Sequence, residues 1–421
     1  MLLAIFISFW YNQAMSNFKQ ITDFIESKKL EMIELEKLLT SIPAMAPESD
    51  GEGEIKKCEA LEKYLRSAGF TDFKRLDAPD SRVPSGIRPN LIVTIKGKNY
   101  KERLWIMSHL DVVPPGDLTK WESNPWKVIE KDGKIIGRGV EDNQQGLVSS
   151  VFAALSFIKL GIIPERTIKL LFVADEEVGS QYGILYLLKN HNLFTKDDLI
   201  LVPDGGDPEG KHIEIAEKTS LWIKVITEGV QTHASMPDTG KNAFVAACDL
   251  ALRLNDLENF FNKKDNLFSP DYSTFQPTKK EANVPNINTI PGDDVFYMDC
   301  RILPSYDMKE IFDEMNKRVR TVEKKYGVSI TLEYDEPESS PSTPADSKVV
   351  QILSQAVKKV SGIETSTIGI GGGTVAACLR SYGFNAVVWS SLDDTCHQPN
   401  EYAVIKNIVN DAKVMAVMAG V

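Results

Sequence analysis

The chain is poor in the residues that most often hold protein metals. Among 421 residues there are five cysteines and five histidines. Cys58, Cys248, Cys300, Cys378 and Cys396 are odd in number and far apart, and no CxxC occurs. That argues against a disulfide framework or a thiolate zinc site and suits a reducing compartment. Positive charge is in deficit as well: 48 Lys plus Arg against 59 Asp plus Glu, a formal net charge of −11. An acidic chain is a poor partner for nucleic acid or an anionic membrane, so neither is expected. No apolar run reaches the ~20 residues of a membrane-spanning helix. The nearest, MLLAIFISFWYN at the start, is too short, and the first cation is Lys19, where a secretory signal wants a basic leading region. Residues 1–14 therefore read as an upstream extension of a cytoplasmic protein, with a degenerate export signal as the alternative. Repeats are lacking too. With 43% hydrophobic and 25% charged residues, the composition is that of a globular chain long enough for two or three domains.

What the chain does have is strand and helix alternation. Residues 17–40 and 53–69 carry helical periodicity. Strands are expected at 90–96, 103–108 (RLWIMS), 167–174 (TIKLLFVA) and 199–203, with helices at 146–160 and 182–189 between them. Strands separated by helices imply a parallel sheet covered on both faces. From Ser220 the pattern changes. A strand (LWIKVIT), a helix at 243–255, strands near 286–289 and 295–303, a helix at 308–325 and a strand at 328–334 give a β-α-β-β-α-β order. After the Ser/Pro stretch ESSPSTPADS the first pattern resumes. The expected fold is thus α/β: a mostly parallel, doubly wound sheet in residues 1–219 and 337–421, interrupted by an α+β, ferredoxin-like insertion at 220–336.

The informative feature is which residues follow the strands. RLWIMS runs into His109-Leu110-Asp111, TIKLLFVA into Asp175-Glu176-Glu177, and the 199–203 strand into Asp204. GRGVED places Asp142 just before the helix that starts near Gly146, and His397 follows the strand AVVWSS. In open α/β sheets ligands bind beyond the carboxyl ends of the strands, so these groups converge at one rim. Carboxylates crowded there repel unless their pKa values rise or a cation compensates. Two histidines among carboxylates suit a borderline metal such as zinc, with no thiolate needed. Five ligands serve two ions if one carboxylate bridges, and two ions share an activated water. His191 and His212 have no such context and read as surface or core histidines.

The same residues carry a family resemblance. SHLDVVP, GRGVEDNQQG, FVADEEVGS, VPDGG, THASMPDTGKNA, NTIPGD, IGGGTVA and CHQPNE, in that order, resemble the metallopeptidases and amidohydrolases typified by acetylornithine deacetylase, succinyl-diaminopimelate desuccinylase, aminoacylase, carboxypeptidase G and bacterial dipeptidases. The resemblance implies a two-metal site in the α/β domain and an inserted lid and dimerisation domain. It implies that Asp142 bridges the ions, His109 and Asp204 complete one site, and Glu177 and His397 the other. Glu176 would be the general base, taking a proton from the attacking water and passing it to the leaving amine. Asp111 would hold the ring of His109. His233 would reach the partner subunit's active site and donate to the developing oxyanion. Asn288, Arg301 and the turn of Gly371, Gly372, Gly373 and Thr374 would bind the substrate carboxylate. Two departures stand out: Asn143-Gln144-Gln145-Gly146 where many members read DMKGG, and GGTVAA where many read GGTSDA.

The expected activity is hydrolysis of an amide bond in a small carboxylate-bearing substrate, with two divalent ions, zinc first and cobalt or manganese as alternatives. Asp rather than Glu at 204, and the GGGTVA run, lean toward an exopeptidase or dipeptidase. An N-acyl amino acid deacylase is the alternative, and a non-catalytic binding protein on the same fold a remote one. A homodimer formed through the insertion is the expected partner state.

Overall fold

The computed structural model describes residues 16–335, 337 and 339–420. The reading of residues 1–14 therefore falls outside the described residues. No helix among the described residues is long and apolar enough to cross a membrane. The chain forms two compact units. One comprises the residues up to Ile215, Thr343–Thr367 and those from Thr374 onward; the other comprises Ala216–Ser342 and Ile368–Gly373.

The first unit is built on an eight-stranded sheet in the order Phe73–Arg75, Leu91–Ile95, Arg166–Val173, Asn99–His109, Leu199–Asp207, Ala386–Ser391, His212–Glu217, Ser366–Ile370. The four strands from Arg166–Val173 to Ala386–Ser391 run parallel. Leu91–Ile95 and His212–Glu217 join them antiparallel. The parallel centre and the α/β class follow the expectation, and the mixed edges add to it. The central strands are apolar on both faces because both are covered. Trp105, Met107, Leu171, Ile200 and Val388 pack with the helices Ile184–Asn190 and Val375–Ser381. Leu104, Ile106, Leu170 and Val387, one residue out of phase, point the other way. There the helices Gly146–Leu160, Lys348–Ser361 and Ile405–Met418 cover the sheet.

Two local features prepare the rim. A Cβ on Gly146 would lie 2.4 Å from the Pro203 carbonyl oxygen, so glycine alone lets that helix begin against the strand bearing Asp204. A small sheet, Tyr402–Val404 against Lys134–Ile136 against Ile129–Lys131, brings the CHQPNE segment beside GRGVED. The sequence reading did not include this sheet or the strand His212–Glu217. The expected single helix at 17–40 is two, 16–27 and Lys29–Thr40, divided at Lys28.

The second unit has the ferredoxin-like order. Thr219–Glu228, helix Ala243–Asn255, Thr274–Lys280, Asp293–Ile302, helix Met308–Tyr326 and Ser329–Glu333 follow one another. The antiparallel sheet runs Thr274–Lys280, Asp293–Ile302, Thr219–Glu228, Ser329–Glu333. Its core includes Leu221, Val225, Leu250, Phe275, Met298, Cys300, Ile311 and Met315. The second strand corrects the sequence reading: it is Thr274–Lys280, whereas residues near 286–289 contribute only to the two-residue strand Thr289–Ile290. TFQPTKK hides its strand character because it is an edge, with Pro277 at a register shift and exposed lysines at 279 and 280.

Candidate functional site

The parallel register brings the strand ends level. His109 pairs across from Val173, and Ile106 from Leu201, so the residues after each strand emerge on one rim. One ligand-type atom from each of His109, Asp142 and Asp204 lies within 4.8 Å of the others, and the same holds for Asp142, Glu177 and His397. Asp142 belongs to both groups. Its Oδ1 is 2.8 Å from His109 Nε2, and its Oδ2 is 3.1 Å from His397 Nε2. His109 Nε2 is 3.6 Å from Asp204 Oδ1, and His397 Nε2 is 3.1 Å from Glu177 Oε2. A carboxylate with each oxygen turned to a different imidazole is what a bridging ligand requires.

Each group is held from behind. The Nδ1 of buried His109 lies 3.0 Å from the Asp111 carbonyl oxygen and 3.5 Å from its Oδ1, leaving Nε2 for the rim. Asp111 also accepts the backbone N–H groups of Glu176 and Glu177, at 3.1 and 2.9 Å. One buried side chain thus orients the His109 ring and the turn carrying both glutamates. Asn143 Nδ2 donates to Asp204 Oδ1 at 2.6 Å and to the Pro203 carbonyl at 2.7 Å. Asp142 and Asn143 leave helical backbone geometry just before Gly146, which turns the Asp142 carboxylate outward. His397 sits in the left-handed region at φ 62° and is exposed at the rim.

The charges conflict without a cation. Burial, and then the charge of Asp204, hold the Glu176 carboxyl well above the usual carboxylate range. Burial and Asp142 push Glu177 up to about 7, and burial raises Asp204. Asp142 goes the other way: burial would raise it, but His109 and His397 outweigh that and hold it low. His397, bonded to Asp142 and Glu177, is pushed up to about 10. Burial would lower His109, but Asp204, Asp111 and Asp142 raise it well above its ordinary value. Three carboxylates crowded around two imidazoles are the kind of charge arrangement that divalent cations compensate. The donor set of two imidazole nitrogens and three carboxylates fits a pair of such ions.

The remaining candidates lie mostly in the second unit. His233 is exposed, and its Nδ1 accepts the Ser235 N–H at 3.2 Å, which leaves Nε2 as the donor. Asn288 is its neighbour, since His233 pairs with Thr289 and the Ala234 N–H donates to the Asn288 carbonyl at 2.9 Å. Arg301 is engaged: Nε and Nη2 reach Asp299 at 2.7 and 2.9 Å, and Nη1 reaches Ser220 Oγ at 2.6 Å and the Gly371 carbonyl at 3.0 Å. A Cβ on Gly371, Gly372 or Gly373 would meet nothing within 4 Å, so the turn is open. Thr374, in the first unit, caps the helix Val375–Ser381 through the Ala376 N–H at 3.1 Å. His191 and His212 are in neither ligand group, and His212 Nδ1 lies 3.1 Å from Asp207 Oδ2.

Three supporting carboxylates escaped the sequence reading. Glu141 and Glu401 lie beside Asp142 and His397, and Asp411 lies under the strand Ala386–Ser391. The first two stand inside the motifs GRGVED and CHQPNE, and that position was the available signal.

The family description "Peptidase family M20/M25/M40" matches residues 105–420. An uncharacterized metallohydrolase of Methanocaldococcus jannaschii is 41% identical over 403 residues, spanning 91% of this chain and 97% of its own. A succinyl-diaminopimelate desuccinylase of Nitratiruptor is 27% identical over 377 residues, 88% of this chain and 94% of its own. Among solved structures, the aminopeptidase PepT of Bacillus cereus superposes with a TM-score of 0.74 at 20% identity, covering 93% of this chain and 98% of that one; at that identity the likeness speaks for the fold. The residues at the rim and the match over three quarters of the sequence lead to one assignment: the chain belongs to peptidase family M20/M25/M40 and is a metallohydrolase of the metallopeptidase and amidohydrolase type.

Proposed function

We propose that the protein hydrolyses the amide bond of a small carboxylate-bearing substrate, as an exopeptidase or dipeptidase. The observation that carries this reading is the shared Asp142, whose two oxygens face His109 and His397, with Glu176 on the same turn as Glu177. His109, Asp142 and Asp204 would hold one divalent ion, and Asp142, Glu177 and His397 the other. When bound, a pair of zinc ions, or cobalt or manganese, supplies Lewis acidity that polarises the scissile carbonyl and lowers the pKa of water. Glu176 accepts the proton of the attacking water and gives it to the leaving amine; its raised pKa suits both transfers. Asp111 keeps His109 in its ligating tautomer. His233, with Nε2 free to donate, stabilises the oxyanion in the partner subunit's site. Asn288, Gly372, Gly373 and Thr374 bind the substrate carboxylate together with Arg301, where the substrate competes with Asp299.

Residues 1–219 and 337–421 serve in this reading as the catalytic domain, and 220–336 as lid and dimerisation domain. The edge strand Thr274–Lys280 and the exposed Phe244, Val245 and Leu252 on helix Ala243–Asn255 support an isologous dimer. Five free cysteines support the cytoplasm.

A second reading, an N-acyl amino acid deacylase, is favoured by the 27% identity to a desuccinylase. The remote third, a binding protein without catalysis, predicts a replaced ligand or base, and the sequence retains each candidate, His109, Asp142, Glu176, Glu177, Asp204 and His397. Parallel assays on a dipeptide panel and on N-acetyl and N-succinyl amino acids separate the first two. Glu176→Ala tests the chemistry. Metal content should stay at the wild-type level while turnover falls by about 10²-fold or more. Wild-type turnover in that variant removes Glu176 as the base.

A further inference from the structure

We infer that Glu141 and Glu401 form a reciprocal clasp that positions Asp142 and His397 for the second metal ion. The inference rests on the two-metal reading above and adds two residues that do not themselves ligate. Each glutamate is a chain neighbour of one loop and binds the backbone of the other. Glu401, four residues after His397, takes the loop that bears Asp142. Its Oε2 accepts the Gly139 N–H at 3.0 Å and Arg138 Nη1 at 2.6 Å, and its Oε1 accepts the N–H groups of Glu141 and Asp142 at 3.0 and 3.1 Å. Glu141, directly before Asp142, takes the loop that bears His397. Its Oε1 accepts the Asp393 N–H at 2.8 Å, and its Oε2 accepts the Thr395 N–H and, at 2.8 Å, Thr395 Oγ1.

Both carboxylates are buried, Glu401 at 0% and Glu141 at 4% exposure. Unpaired, they would be costly groups; here every oxygen is matched to donors on a ligand-bearing loop. The geometry is complementary in sequence as well. Thr395 also closes its own loop onto Tyr402, its Oγ1 accepting the Tyr402 N–H at 3.1 Å while its one hydrogen goes to Glu141. His397, two residues on from Thr395, therefore inherits its height over the rim from Glu141. Asp142 inherits its own from Glu401, since its N–H is one of the bonds. The His109–Asp204 group has other supports, Asp111 and Asn143. The Glu141 half of the clasp thus acts on the Glu177–His397 ion, whereas the Glu401 half reaches both ions through the shared Asp142.

The test titrates divalent zinc into metal-free wild-type, Glu141→Ala and Thr395→Val proteins by calorimetry, with amide hydrogen exchange of the same metal-free samples. Thr395→Val keeps the fold-bearing backbone N–H and removes only the hydroxyl, so it stands in if Glu141→Ala is poorly folded. Loss of such a supporting partner typically weakens metal affinity ~10–100-fold. The expected result is that one of two sites in Glu141→Ala weakens by about that much while the other stays within about threefold. Thr395→Val should show a smaller change in the same site, and exchange at 393–397 should speed up in both variants. Two wild-type affinities in folded variants, or equal weakening of both sites, overturns the clasp. A wild-type protein that binds fewer than two ions overturns the two-metal reading on which it stands.

Discussion

Asp411 is a buried carboxylate with no cation paired to it among the described residues, and replacing it with asparagine should stabilise the protein at neutral pH. It lies on the helix Ile405–Met418 at 0% exposure. Its Oδ2 accepts Ser390 Oγ at 2.7 Å, the Ser391 N–H at 3.0 Å and Gln145 Nε2 at 3.0 Å, while its Oδ1 has no hydrogen-bond partner among the described residues. Burial dominates these bonds and pushes the carboxyl from 3.8 up to about 6. The folded state therefore binds the proton more tightly than the unfolded chain. The stabilisation from that proton is complete below about pH 4 and is lost as pH rises to about 6. At about 1.4 kcal/mol per pH unit, the loss amounts to roughly 3 kcal/mol. A side-chain amide in place of the carboxylate would keep an oxygen for the three donors and carry no charge to desolvate, so Asp411→Asn should remove this pH dependence. In urea titrations of the metal-free protein followed by the emission of Trp389, which adjoins Ser390 and is buried, the variant should match wild type near pH 4. At pH 8 it should exceed wild type by up to about 3 kcal/mol. A difference that is the same at pH 5 and pH 8, or a variant less stable than wild type at pH 8, refutes the argument.

Arg88 should behave oppositely, because it is the buried cation of its cluster. It is 0% exposed and binds Glu54 Oε2 at 2.7 Å, with Asp175 Oδ1 at 3.1 Å and Asp80 Oδ2 at 3.5 Å. Arg88→Met strands Glu54 and Asp175, while Asp80 keeps Arg82 at 2.9 and 2.8 Å, and should cost roughly 3–5 kcal/mol of unfolding free energy, partly recovered by adding Glu54→Gln; a loss below about 1 kcal/mol in urea titration contradicts this. For the dimer, sedimentation of wild type should give a two-chain species, and Leu252→Glu, at a side chain 73% exposed, should shift it toward one chain. A fully active wild-type monomer removes both the dimer and the role of His233 across it.

The convergence of the candidate ligands was legible because a parallel sheet converts sequence order into place. An apolar strand followed by His, Asp or Glu puts that side chain at the same rim as every other such strand. The insertion's β-α-β-β-α-β order was legible from alternation, although its edge strand Thr274–Lys280 was not, since an edge carries polar residues on the face a core strand would fill. The partnership of Asp111 with His109 came from the family resemblance, and its place two residues after a strand's last residue is compatible with that role. Glu141 and Glu401 were not readable in their roles. Each bonds a loop some 250 residues away in sequence, and nothing local marks a glutamate that serves backbone amides instead of water.

The supporting carboxylates share one physical logic. Loops at the carboxyl ends of parallel strands must satisfy amide groups that no ladder reaches. In this protein the acceptor is repeatedly a carboxylate from a different loop. Asp111 serves Glu176 and Glu177, Glu401 serves Gly139, Glu141 and Asp142, and Glu141 serves Asp393 and Thr395. A carboxylate offers about four lone-pair sites in one rigid plane, so it can fix two or three amides at once. The same groups add negative charge around the rim, which raises the demand for cations there. In the proposed two-metal reading, one set of side chains serves both loop order and metal affinity, and substituting one of them with the neutral amide should loosen a loop and weaken an ion together. A variant that changes metal affinity with amide exchange of its loop unaltered would separate the two effects and show that charge alone governs the site.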